Sequence, residues 1–144
     1  MARSNAVTAG LTDRVTFHAR DAGSPDLAGR YDLVTAFECL HDMPQPVAAL
    51  KAMRRLAGDR GAVLVVDERV GDAFTAAGTD LEWMMYGWSI LHCLPVGKAD
   101  TPSAETGTVL RPSTLRRYTE EAGFRRMEIL GIEHLFFRFY RLYA

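Results

Sequence analysis

The alternation of apolar runs along this 144-residue chain predicts an α/β fold, a mostly parallel sheet layered with helices and closed by an antiparallel hairpin. Three observations predict it. Tyr31–Phe37 and Ala62–Val66 are near-continuous apolar runs, as in strands buried on both faces of a parallel sheet. Pro46–Ala57, between them, has apolar residues at helical spacing, so the three make a strand–helix–strand unit. Two later runs, Arg126–Ile132 and His134–Leu142, are separated by too few residues for a crossover and must pair antiparallel.

The elements follow in order. Residues 2–10 read as the end of a helix closed by Gly10. Val15–Ala19 is a short β-rich run, and Asp21–Arg30, with Gly23, Ser24, Pro25 and Gly29, is mostly loop. In Pro46–Ala57 the residues Val47, Leu50, Met53 and Leu56 form the inward stripe, widened by Ala49 and Ala57, and Gly58 and Gly61 end the helix. Asp80 is placed to cap a helix from Leu81 to Leu94. Leu81, Met84, Trp88 and Leu91 share one of its faces, and Met85, Ile90 and Cys93 make most of the rest apolar, so this helix is expected to be covered on more than one side. Pro112 fits the first turn of a last helix, with Leu115, Tyr118 and Ala122 inward and Gly123 at its end.

Composition bounds the function. The chain is 48% apolar and 24% charged, which suits a single domain with one core and excludes a disordered tail or a disulfide scaffold. A formal net charge of -1 gives no electrostatic case for nucleic acid or an anionic membrane. Between residues 111 and 144 seven Arg accompany four Glu, read as a solvated face. The longest stretch without Lys, Arg, Asp or Glu, Trp83–Gly97, is too short and too broken by His92 and Pro95 to span a bilayer. Cys39 and Cys93 lie apart in apolar runs and read as buried thiols of a reducing, cytoplasmic compartment. The four His have no metal-ligand spacing with one another or with the cysteines, so no metal site is expected.

More specific are five pieces in order. Asn5-Ala-x-x-Ala-Gly-Leu-x-Asp-Arg-Val15 with Phe17 and Asp21-Ala22 resembles the third-strand region of class I S-adenosylmethionine-dependent methyltransferases. Tyr31-Asp-Leu-Val with Leu40-His41-Asp42 resembles their fourth strand and its exit, Gly61-Ala-Val-Leu-Val-Val-Asp67-Glu68 their fifth, and Ala122-Gly-Phe124 the approach to their last two strands. Glu38-Cys-Leu-His-Asp-Met43 and Met85–Pro95 are similar to bacterial members that carry an N-terminal winged-helix region, which is absent here. The resemblance implies an incomplete Rossmann-like sheet, one partial domain over residues 1–144, with strands 1 and 2 and the glycine-rich cofactor turn missing. In the family's strand order the Tyr31, Ala62, His134 and Arg126 strands would lie side by side in that sequence. The open edge of the Tyr31 strand is an apolar hazard, and Val15–Ala19 is expected to move in beside it.

The resemblance also assigns roles. Asp21 and Ala22 would meet the adenine of S-adenosylmethionine, and Phe37 and Glu38 would lie beside its sulfonium, with a turn cap as the alternative for Asp21 and a solvated loop acid as the alternative for Glu38. His41 would be the general base that takes a proton from a small-molecule acceptor's hydroxyl, since a neutral imidazole can do so near pH 7. Asp67 would support it, while no acid near Val109–Pro112 supplies the family's second support. Met84, Trp88 and His92 lie where the family builds its acceptor pocket, with plain core or a dimer surface as the alternatives. The implied activity is methyl transfer to a small molecule at oxygen. The alternative is a truncated, non-catalytic fragment or pseudoenzyme that acts through a partner, and a homodimer through the open sheet edge or the 81–94 helix is a further option.

Overall fold

The computed structural model describes residues 1–76 and 78–144. The elements are α1 (Ala2–Thr8), β1 (Leu33–Phe37), α2 (Pro46–Ala57), β2 (Ala62–Glu68), α3 (Asp80–Trp88), α4 (Leu94–Gly97), α5 (Pro112–Glu121), β3 (Arg126–Ile129) and β4 (Phe137–Tyr143). A 3₁₀ turn at Leu40–Asp42 and a π turn at Ser89–Cys93 complete them. The sheet order is β1-β2-β4-β3, the order expected from the sequence. β1 and β2 run parallel with Phe37 opposite Val66, and β4 is antiparallel to both β2 and β3.

The core lies between this sheet and the helices α2 and α5. Val63 and Val65 of β2 meet Leu50 and Met53 of α2, Leu115 and Tyr118 of α5, and Tyr140 and Leu142 of β4 in one buried cluster. The α2 stripe is centred on Ala49, Leu50, Met53 and Ala57, with Val47 and Leu56 only half-buried at its margins. Gly58 ends the helix at φ +59°, with its N–H on Arg54 O. A side chain there would be strained in this left-handed conformation.

Three expectations need correction. Among the described residues Val15–Ala19 pairs with no strand, and it is exposed. The loop that would have to carry the crossover is instead folded into local turns. Asp21 Oδ1 accepts from Gly23 N (2.9 Å), Leu27 N donates to Ser24 O (3.3 Å), and Arg55 of α2 pins Ser24 O (3.1 Å). Chain spent on turns cannot also span a right-handed connection. The outer edge of β1 therefore stays open, with Leu33 58% and Phe37 54% exposed.

The 81–94 helix is also different. Thr79, not Asp80, caps it by accepting from Glu82 N, and the regular helix stops at Trp88, where the π turn begins. The extra residue in that turn rotates the following face. Met85 and Cys93 are buried, but Trp83, Trp88, Ile90 and Leu91 are exposed, so the helix is covered on one side only. Finally, the closing hairpin is shorter than its apolar runs, because residues 130–136 form the connection. There Phe136 N and Phe137 N both donate to His134 Nδ1. Among the described residues no helix is long and apolar enough to cross a membrane.

Candidate functional site

In open α/β sheets ligands bind beyond the carboxyl ends of parallel strands, because the connections there diverge. Here those ends are Phe37 and Glu68. Glu38 extends the β1–β2 ladder by one bond, its N–H on Val66 O at 3.0 Å, and then turns sharply at φ +49°. Such a conformation is strained for a residue with a Cβ and commonly marks a functional turn. The 3₁₀ turn that follows buries Leu40 and drives His41 back under the sheet end, where the Gly107 N–H fixes its carbonyl at 3.1 Å.

His41 is 3% exposed and lies among carboxylates. Its Nδ1 meets Asp67 Oδ1 at 2.8 Å and Glu68 Oε2 at 3.1 Å. A carboxylate only accepts, so Nδ1 is the nitrogen that carries hydrogen here. Nε2 lies 3.4 Å from Asp42 Oδ1, too far for a good hydrogen bond. Asp67 and Glu68 are themselves buried. Burial by itself would lower the imidazole's affinity for a proton, but the hydrogen bonds and charges of Asp67 and Glu68 outweigh it and push His41 up to about 12. The two acids thus favour the protonated form of His41. Burial first, and Asp67 after it, push Glu68 up to about 7 against the opposing pull of His41. Glu38 is exposed as a residue, yet its carboxyl is crowded by protein and faces Glu68, which raises it to about 7. Burial also raises the thiols of Cys39 and Cys93, so neither is an activated nucleophile.

The cluster is larger than its sequence signal. Asp67 was expected beside His41. Glu68 was not, because neighbours on a strand ordinarily face opposite ways. The Asp67-Glu68 pair at a strand end was the available clue. Donor atoms of His41, Asp67 and Glu68 lie within 4.8 Å of one another, as do those of His41, Asp42 and Cys93, although their sequence spacing suggested no ligand set. One cation could bridge such groups, but Nδ1 already meets both carboxylates directly, the geometry of a buried ion pair.

The other expected residues are dispersed. Asp21 is exposed and its carboxylate accepts from Gly23 N, so the turn-capping bond exists. With Ala22 it lines a cleft of about 600 Å³ shared with Met43, Pro44 and Gln45 before α2. Phe37 and Glu38 are exposed at the β1 exit. Met84, Trp88 and His92 are exposed on α3 and the π turn, and among the described residues no hydrogen bond or ion pair links them to His41. Cys93, on the same segment, does reach the cluster.

Comparison with known proteins gives a consistent result. The family described as methyltransferase domain matches residues 3–129. A ubiquinone biosynthesis O-methyltransferase of Pseudomonas aeruginosa is 30% identical over 110 residues, which are 76% of this chain and 43% of that protein. The chain therefore spans less than half the length of this curated relative. Among solved structures, the apo S-adenosylmethionine-dependent methyltransferase SibL superposes with a TM-score of 0.74 at 20% identity, over 99% of this chain and 39% of that one. PigF with SAH does so at 0.70 and 18%, again over 99% and 39%. At such identities these structures speak to the fold.

Proposed function

The chain belongs to the methyltransferase-domain family, and from that premise we propose that it carries the acceptor side of an S-adenosylmethionine-dependent methyltransferase acting at oxygen of a small molecule. The observation that carries the reading is the convergence of His41, Asp67 and Glu68 at the carboxyl ends of β1 and β2. The four strands correspond to the family's fourth to seventh. The reading includes the expectation that its first two strands and the glycine-rich turn lie outside this partial domain, whose setting would be the cytoplasm.

The residues present fit part of such a cofactor. Glu38 at the β1 exit, with Glu68 behind it, gives an acidic rim that suits a sulfonium, and the cleft beside Asp21 and Ala22 has room for an adenine. Asp21 and Ala22 would hold that ring, with Phe37 and Glu38 beside the sulfur. When bound, the cofactor supplies an electrophilic methyl group. The chain's own part is to orient the acceptor and manage its proton. Among the described residues Nε2 of His41 makes no hydrogen bond, so it is the nitrogen left for an acceptor. His41 first gives its Nε2 proton to water, and the freed Nε2 lone pair then takes the acceptor's hydroxyl proton as the oxygen is methylated. The carboxylates on Nδ1 fix the ring and strengthen the base, and they also keep it charged until that proton is lost. Met84, Trp88 and His92 would form an outer apolar wall for a planar acceptor.

One observation favours a second reading. His41 is almost wholly enclosed and both its nitrogens face protein carboxylates, as in a structural ion pair of a non-catalytic fragment or pseudoenzyme. Substitution separates the two. In an enzyme that contains this domain, His41→Ala should lower turnover by ~10²-fold or more while cofactor affinity stays unchanged. Wild-type turnover in that variant would return His41 to the structural role.

A further inference from the structure

We propose Glu68 as a second positioning carboxylate for His41, one that shares Nδ1 with Asp67 from the next position of the same strand. The geometry is direct, at 3.1 Å for Glu68 Oε2 beside 2.8 Å for Asp67 Oδ1. Two consecutive residues reach one atom because β2 ends at Glu68. Val70 N–H folds back onto Glu68 O at 3.1 Å, and the backbone leaves the regular pleat. The longer glutamate side chain covers the remaining distance. Where the resemblance implies a second acid, this chain has Val109, Leu110, Arg111 and Pro112, and Glu68, adjacent to Asp67, stands in for it.

The two carboxylates are not equivalent. Asp67 Oδ1 also accepts the backbone N–H of Glu68 at 3.1 Å, so two donors support it. Glu68 Oε2 is buried with the imidazole at 3.1 Å and no donor in good hydrogen-bonding geometry, and the second Asp67 oxygen, Oδ2, is likewise buried without a donor. A charge with less support is the easier one to neutralise. Glu68 is also faced by Asp67 on its own strand, which opposes its ionisation, and Glu68 in turn helps to raise Glu38 at the β1 exit. Asp42 and Cys93 face the imidazole from its other side. Across the ladder Arg138 stands opposite Asp67, but its guanidinium is engaged by Val70 O at 2.7 Å. Glu68, raised to about 7, is therefore a carboxylate beside Nδ1 whose charge changes near neutrality, as does that of Glu38 at the β1 exit. Charged, it grips the imidazolium together with Asp67, and protonated, it leaves Asp67 to hold the ring alone. The consequence for catalysis rests on the reading of His41 as the residue that meets the acceptor, whereas the pairing itself does not.

The test is a pH titration of the isotope-labelled chain by NMR, following the ring nitrogens of His41 and the carboxyl carbons. In the wild type both His41 nitrogens should remain protonated between about pH 6 and 9, and the Glu68 carboxyl carbon should shift near pH 7. Glu68→Gln should lower the pH at which His41 loses its proton by about one unit or more, tenfold in proton affinity. Glu68→Asp should retain part of the effect. A Glu68→Gln titration that matches the wild type overturns the proposal. If Glu68→Gln does not fold, the wild-type carboxyl signal decides alone, and its absence near pH 7 overturns the proposal too. Wild-type turnover in His41→Ala with a shifted imidazole in Glu68→Gln would remove the catalytic reading and leave the pairing standing.

Discussion

β1 and β2 are parallel neighbours built from similar apolar residues, yet Val65 of β2 is fully buried while Leu33 and Phe37 of β1 are more than half exposed. Their side chains do not account for the difference. β2 has β1 on one side and β4 on the other, and α2 and α5 cover its Val63–Val65 face. β1 has β2 alone. The same contrast separates α2, whose inward stripe is covered by the sheet and α5, from α3 and the π turn, where Trp83, Trp88 and Leu91 meet no layer. Hydropathy shows which residues would gain from burial, and the presence of a second neighbour decides which do.

The sharpest way to break this comparison is a matched pair of truncations. Leu50, fully buried beneath the sheet, should cost about 2–5 kcal/mol on conversion to Ala, because a cavity remains where it packed. Leu33→Ala, on the open edge, should change stability by no more than about 0.5 kcal/mol. Denaturant midpoints measure both. Equal losses would mean that the β1 edge is covered in solution.

This contrast also explains what the sequence could and could not reveal. The strand–helix–strand unit and the Pro46–Ala57 helix with its glycine stop were legible because each depends on periodicity or on a neighbour the chain itself supplies, and the strand order, which the family resemblance implied, is the one observed. Val15–Ala19 misled, because its β-rich composition reports a preference while its pairing depends on a loop committed to turns around Asp21 and Ser24. The coverage of the 81–94 helix misled for the same reason, and a π turn is not visible in apolar spacing at all. At the site, His41 and Asp67 were legible as a pair. Glu68 was hidden by the rule of alternating faces, which holds within a strand and fails at its end.

A smaller effect sharpens the account of the closed side. Glu38 and Glu68 are raised from 4.5 to about 7, and His41 from 6.5 to about 12. All three make the folded chain bind more protons than the unfolded one, the two acids between 4.5 and about 7 and the imidazole above 6.5. Stability must then fall as pH rises through these windows. A urea midpoint that declines from about pH 5 to 9, with a shallower decline in Glu68→Gln, is the expected result. A midpoint that rises over the same interval would contradict the buried ion pair.

The open side gives the most direct test of the central claim, that this chain holds the acceptor-side residues and part of the cofactor site of a methyltransferase domain. That measurement is a calorimetric titration of S-adenosylmethionine into the chain. In the proposed reading Glu38 at the β1 exit and the cleft beside Asp21 and Ala22 meet the sulfonium and the adenine, while the glycine-rich turn that would receive the methionine end lies outside these residues. The account predicts no saturable binding in the micromolar range. A micromolar dissociation constant, about 8 kcal/mol of binding, would mean that these residues form a complete cofactor site and would contradict it.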